Sequence, residues 1–158
     1  MTPAYDAEEI STAQTELLYA CVEAEHAGEA ERIPRMVVDF LSSRIRSRSM
    51  MLGFLTGMAE AARMADGPPP AEGGKFWGVQ LVGADGRAES LDVLAVDEEG
   101  AGAVAALRIY TAVCNRDTDT AYDVLASLDT DDQLDFRLPH AAIFLTRMAS
   151  QALAQAGV

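Results

Sequence analysis

DGPPPAEGGKFWGVQLVGADGRAESLDVLAV, residues 66–96, sets the fold class. Its first part, 66–75, is a linker: three consecutive prolines forbid helix and the flanking glycines favour turns. The rest, 76–96, holds two β-rich runs around Gly83-Ala84-Asp85-Gly86-Arg87, the pattern of a hairpin with a type I turn and Gly86 in the left-handed position. If Gly83 faces Arg87, then Trp77 opposes Val93 and Val79 opposes Leu91 on one face, while Gly78 with Asp92 and Gln80 with Ser90 share the other. That register alone gives one apolar face. A tight Asp-Gly turn would set Asp92 beside Val79.

Outward from this centre, both flanks carry helical periodicity. On the N-terminal side, residues 1–65, Ile10, Ala13, Leu17, Ala20, Ala24 and Ala27 trace one face of a helix over about 6–27, widened by Leu18, Cys21 and Val22. Gly28 is a breaker, and Pro34 suits the first turn of the next helix. Val37, Phe40, Leu41 and Ile45 support that second helix; Met51, Leu52, Leu55, Met58 and Ala59 support a third. Whether residues 42–49 interrupt one long helix or separate two is left open by the pattern. On the C-terminal side, residues 97–158, a helix to about 115 is expected with Ala103, Leu107, Tyr110 and Cys114 inward. Thr120 followed by Asp123 resembles a capping box, and Thr130 followed by Gln133 resembles another. The last helix carries Leu134, Leu138, Ala141, Leu145, Met148 and Ala152, with Pro139 starting or kinking it.

The expectation is an α+β protein, mostly α: one domain over 1–158, in which two helical segments of about three helices each flank a central β-hairpin. An internal similarity accompanies this order. Phe54-Leu55-Thr56-Gly57-Met58-Ala59 and Phe144-Leu145-Thr146-Arg147-Met148-Ala149 share five of six residues at an offset of 90, and Tyr19 and Tyr110 lie 91 apart. Asp39-Phe40-Leu41 also resembles Asp123-Val124-Leu125. Chance in an Ala- and Leu-rich chain and a true duplication both account for this; a duplicated pair could pack about a pseudo-twofold axis.

The 158 residues carry a formal charge of −13, with 12 Lys+Arg against 25 Asp+Glu, and the hydrophobic fraction of 49% argues against disorder. Charge is uneven: residues 1–31 sum to −8, 32–63 to +4 and 64–158 to −9. Direct binding of duplex DNA is disfavoured, because phosphate contacts need cations. Cys21 and Cys114, far apart in apolar stretches, fit buried thiols in a reducing compartment. Residues 1–9 lack a secretory signal, and no apolar run reaches the roughly 18 residues of a membrane span. A cytoplasmic protein with no membrane partner is therefore expected.

No motif fixes a reaction. His26 and His140 have no companion at catalytic spacing, and the cysteines and histidines show no zinc spacing. Asn115-x-Asp117-x-Asp119 imitates an EF-hand opening but has Thr120 where glycine and Ala126 where glutamate is required. No glycine pattern suits a phosphate. No cofactor, metal or catalytic residue is assigned. The candidate interaction residues are Arg44, Arg46, Arg48 and Met51 on a Met- and Arg-rich helical surface, with Trp77 and Val79 on the hairpin. Pairing of the arginines with Glu16, Glu23 or Glu25 is the competing reading of that basic stretch.

The functional expectation is a non-enzymatic interaction, assembly or regulatory protein that self-associates, with a four-stranded sheet across a homodimer as one arrangement, or binds a protein partner. An acidic mimic of nucleic acid that inhibits a DNA-binding enzyme, as in phage anti-defence proteins, is a second. An enzyme with an unrecognised carboxylate site is a third.

Overall fold

The computed structural model describes residues 3–69, 77–78, 81–82, 85–89, 97–128 and 137–158. Six helices make the architecture: α1 (Pro3–His26), α2 (Ile33–Arg44), α3 (Arg48–Asp66), α4 (Glu98–Cys114), α5 (Thr118–Leu128) and α6 (Arg137–Gln155), with a 3-10 turn over Ala30–Arg32 ahead of α2.

The expected α+β class with a central β-hairpin is corrected: among the described residues the architecture is helical. Within 76–96 the described pairing is two residues long, Leu81 with Glu89 and Val82 with Ala88, joined by the five residues 83–87. So short a ladder makes no layer. The physical reason is that the helices close a core on their own: the buried cluster runs from Leu17 and Cys21 through Ile33, Val37, Phe54, Leu55 and Met58 to Ile109, Leu125 and Leu145, all helical. Val79, Leu91 and Val93, and with them the expected apolar face of the hairpin, lie outside the described residues, as do Thr130 and Leu134.

Local chemistry explains the helix boundaries. Ile45 is extended, and the Ser47 hydroxyl accepts from the Met50 amide at 3.1 Å, so the run 42–49 separates two helices. Asp97 caps α4 through the Gly100 amide at 2.7 Å. The capping box expected at Thr120 is corrected: Asp117 is the cap, accepting from the Thr120 amide and hydroxyl, and Thr120 lies within the first turn. Pro139 falls in the first turn of α6, where its missing amide leaves no bond unmade.

Helices α1 and α4 end alike. After α1 the Glu29 amide bonds the Ala24 carbonyl and the Gly28 amide the Glu25 carbonyl, with Gly28 at φ 72°. After α4 the Asp117 amide bonds the Ala112 carbonyl and the Arg116 amide the Val113 carbonyl, with Arg116 at φ 55°. Both are Schellman turns. Their left-handed residues lie 88 apart, and at that offset buried Ala24, Ile33 and Val37 correspond to buried Ala112, Ala121 and Leu125.

The sequence order long, short, long thus recurs as α1–α2–α3 and α4–α5–α6, with α3 and α6 both 19 residues long. Packing is reciprocal: α3 lies on α6, α1 packs on α6 as α4 packs on α3, and α2 touches α6 as α5 touches α3. The symmetry breaks where α4 lies extensively along α6 while α1 only grazes α3. Small buried residues permit that close approach, Ala105, Ala106 and Ala112 on α4 with Ala141, Ala142 and Ala149 on α6.

Several expected stripes shift. On α1, Ala20 and Ala27 are exposed, and the buried line runs through Leu17, Cys21 and Ala24. On α4, Ala103, Leu107 and Tyr110 are half-buried flanks, because a helix apolar almost all round has no unique periodicity to read. On α6, Thr146 and Ser150 are fully buried, and the Thr146 hydroxyl has no hydrogen-bond partner. A buried unpaired hydroxyl is costly. Thr146→Val is therefore expected to raise stability by about 1 kcal/mol, read as a higher urea midpoint at unchanged m-value.

Candidate functional groove

An open groove enclosing about 620 Å³ runs between α3, the end of α4 and the start of α5. Its α3 wall extends from Ser49 through Leu52, Gly53, Thr56 and Gly57 to Glu60, eleven residues of rise or about 16 Å. Its opposite wall is Ala112, Val113, Arg116, Asp117, Thr118 and Ala121. Two glycines one turn apart, Gly53 and Gly57, lie on this wall, and the first explains the room. A Cβ on Gly53 would meet no atom within 4 Å, so that position opens on empty space. A Cβ on Gly57 would come within 2.9 Å of the Gln14 amide nitrogen, the end of a side chain that reaches from α1 to donate to the Phe54 carbonyl at 2.8 Å.

Three polar side chains of the groove, Thr56, Glu60 and Asp117, are engaged within the protein. Thr56 donates to the Leu52 carbonyl at 2.8 Å, and Asp117 is held by Thr120. Glu60 accepts from Arg63 Nε at 3.0 Å, and that hydrogen bond is the main reason its carboxyl lies below the ordinary value, with the charges of Arg63 and Arg116 adding to it. Hydrogen bonds from Thr120 lower the Asp117 carboxyl likewise. Both carboxylates are therefore anionic at neutral pH. Arg116 is exposed at the rim, in a left-handed conformation that non-glycine residues seldom adopt.

Behind the groove, Arg63 also donates to the Pro68 carbonyl at 3.1 Å. Trp77 Nε1 donates to the Pro69 carbonyl at 2.8 Å, and the Asn115 amide accepts from the Trp77 amide and donates to its carbonyl. These bonds tie residues 68–69 and 77 to the ends of α3 and α4. The thiols lie in the interior. Burial pushes Cys21 up to about 11, helped by Glu25, and raises Cys114 as well, while Tyr110 beside it rises to about 12, chiefly through burial. Neutral buried thiols are poor nucleophiles. Among the described residues no group of three or more His, Cys, Asp or Glu is placed to hold a metal ion, and no helix is long and apolar enough to cross a membrane.

The residues expected to form an interaction surface are dispersed. Arg44 ends α2, Arg46 lies in the connection and Arg48 opens α3, all three exposed. Met51 is 7% exposed and belongs to the core, as does Met58; of the methionines in this stretch Met64 stands out at 73% exposure. Trp77 is exposed and tethered as described, and Val79 lies outside the described residues. Glu25, one expected partner of the basic stretch, instead meets Arg147 and Ser150 of α6, at 3.5 and 3.4 Å. His26 is exposed with Nε2 2.6 Å from the Val158 oxygen, and His140 is half-buried at the start of α6.

The groove itself was not foreseen, although the internal similarity holds its signal. Aligning 49–60 with 139–150, the shared Phe, Leu, Thr, Met and Ala hold the helix in register and the other seven positions differ, among them Gly53 against Ile143, Gly57 against Arg147 and Glu60 against Ser150. All three α3 members of those pairs line the groove. Compared with known protein families, curated proteins and solved structures, the chain matches none.

Two stability effects follow. Gly53→Ala adds a methyl group in open space to a helix interior, and is expected to stabilise the protein by about 0.5–1 kcal/mol in denaturant melts. For Glu60 the folded carboxyl is lowered, so its contribution is full above the unfolded value near 4.5 and lost as pH falls through the folded value. Glu60→Gln should therefore narrow the stability difference between pH 7 and the acid range, relative to the unsubstituted protein, when melts are compared across that interval.

Proposed function

We propose that the protein is a non-enzymatic interaction module that receives a helical segment of a protein partner in the groove between α3 and the α4–α5 turn. The observation that carries this reading is the groove's form: about 16 Å long along α3, open to solvent, and lined by Gly53, Gly57, Ala112 and Ala121 together with Leu52 and Val113. A helix needs small residues to approach closely, and its apolar side chains need such a lining. Helix-in-groove recognition works in this way, through side chains one turn apart entering an apolar trough. Exposed polar and charged groups at the rim, Arg116, Asp117 and Thr118, would then fix orientation.

Capture from the source cells tests the reading when three baits are compared. The unsubstituted protein and a Met64→Ser variant, altered on an exposed site outside the groove, should retain the same partner. Gly53→Trp, which plugs the groove, should lose it at least fivefold while remaining a cooperative folder. Equal recovery by all three baits would refute the groove as the working surface, and light scattering on the purified protein shows whether that partner is a second copy of the chain.

A further inference from the structure

The two halves of the bundle contain the same helix-pair interface twice, once filled and once empty. In the filled version α6 meets α1 and α2; in the other α3 meets α4 and α5. At the offsets fixed by the shared hexapeptide and by the two Schellman turns, each lining position has a counterpart. Gly53 corresponds to Ile143, Gly57 to Arg147 and Ala121 to Ile33. Ile33 is fully buried, Ile143 packs against the core, and the Arg147 guanidinium lies 3.5 Å from Glu25. The groove is therefore the place where two aliphatic side chains are replaced by hydrogen at Gly53 and methyl at Ala121, while the position of the guanidinium is taken by Gly57 with the Gln14 side chain beside it.

The filled interface also shows what chemistry such a trough accepts. Ile143 and Arg147 are one turn apart on a single helix, the first in apolar surroundings and the second reaching a carboxylate. In the empty version the acid has changed walls: Val113 stands where Glu25 is, and Glu60 stands where Ser150 is. Since Ser150 Oγ and Glu25 Oε1 are 3.4 Å apart, this exchange keeps a carboxylate close to the same spot. Glu60 and Asp117 outnumber Arg116 in the lining, and the whole chain carries −13, a field that draws cations.

Resting on the proposed function, we infer that the occupant is an amphipathic helix of a basic partner, bearing an aliphatic side chain and, four residues later, an arginine or lysine. The aliphatic group enters the space above Gly53 and Ala121. The cation reaches the lining carboxylate of Glu60.

The probe is a labelled synthetic peptide with the sequence of Arg137–Gln155, which carries the Ile143 and Arg147 pair, titrated by fluorescence anisotropy with the full chain. Saturable binding is expected, retained by the Gly53→Ala protein, weakened at least tenfold by Gly53→Ile, and weakened at least tenfold when the peptide carries Arg147→Glu. The peptide variant leaves the protein untouched, so a folding defect cannot imitate its effect. Equal binding of the charge-reversed peptide would overturn the inferred partner chemistry while the groove reading stood. Binding insensitive to Gly53→Ile would place the peptide elsewhere and overturn the inference, as would the lack of saturable binding.

Discussion

Everything in this bundle depends on how closely α6 can be approached. It touches all five others, and its wholly buried positions are Ala141, Ala142, Leu145 and Ala149 with Thr146 and Ser150. Alanine gives little area for burial, at roughly 25 cal/mol per Å², but it lets helix axes come near, so the larger side chains of the neighbours fill the space instead. Ile33, Phe54, Leu55 and Ile109 are the fully buried volume around it. The Phe40 and Phe54 rings, 5.3 Å apart and tilted by 33°, join α2 to α3 beside that contact. A helix so enclosed tolerates polar groups only when paired, which makes the Thr146 hydroxyl and the Glu25–Arg147–Ser150 cluster the sensitive points of an otherwise apolar seam.

The reciprocal packing of the halves makes the differences between them informative. An Ile at 53 would fill open space, whereas an Arg at 57 would have to displace the Gln14 side chain of α1. Glycine there gives up helix propensity of about 1 kcal/mol per position relative to alanine, and the lost side chains give up burial as well. Neither glycine sits at a turn or in a left-handed conformation. Only Gly57 has a packing use, the approach of Gln14; Gly53 has no neighbour that needs its missing Cβ.

The sequence pattern was most legible where one face alone is buried. Val37, Phe40 and Leu41 on α2, and Met51, Leu55, Met58 and Ala59 on α3, are buried as their spacing requires. It was least legible where apolar residues surround the helix, as on α4, or where alanine lies on both sides, as on α1. The hairpin expectation over 76–96 rested on the Gly83–Arg87 turn pattern and the facing pairs it sets, and neither says whether a core needs the face they create. Capping chemistry placed the boundaries only when the right oxygen was chosen: Asp117 competes with Thr120 for the same turn and wins because its carboxylate takes both the amide and the hydroxyl. The interaction residues were sought in charge and methionine content; Met51 lies in the core, and Arg44, Arg46 and Arg48 are exposed at the end of α2, in the connection and at the start of α3. The groove is written in small residues, which periodicity treats as featureless.

Arg116 sharpens the contrast between the halves. Gly28 takes the left-handed position after α1 without steric penalty, whereas an L-residue pays about 1–2 kcal/mol in that region. The turn after α4 makes the same pair of backbone hydrogen bonds, so backbone closure gives no reason for arginine over glycine. What differs is the surroundings: Gly28 ends a filled interface, and Arg116 stands at the rim of an empty one, opposite Glu60 and next to Asp117. Strain kept at a rim, glycine kept in a helix interior and small side chains kept on both walls are three separate departures from the cheaper solution that the other half of the same molecule displays. All three fall on the groove, which is thus one place where the halves diverge, beside the closer approach of α4 to α6.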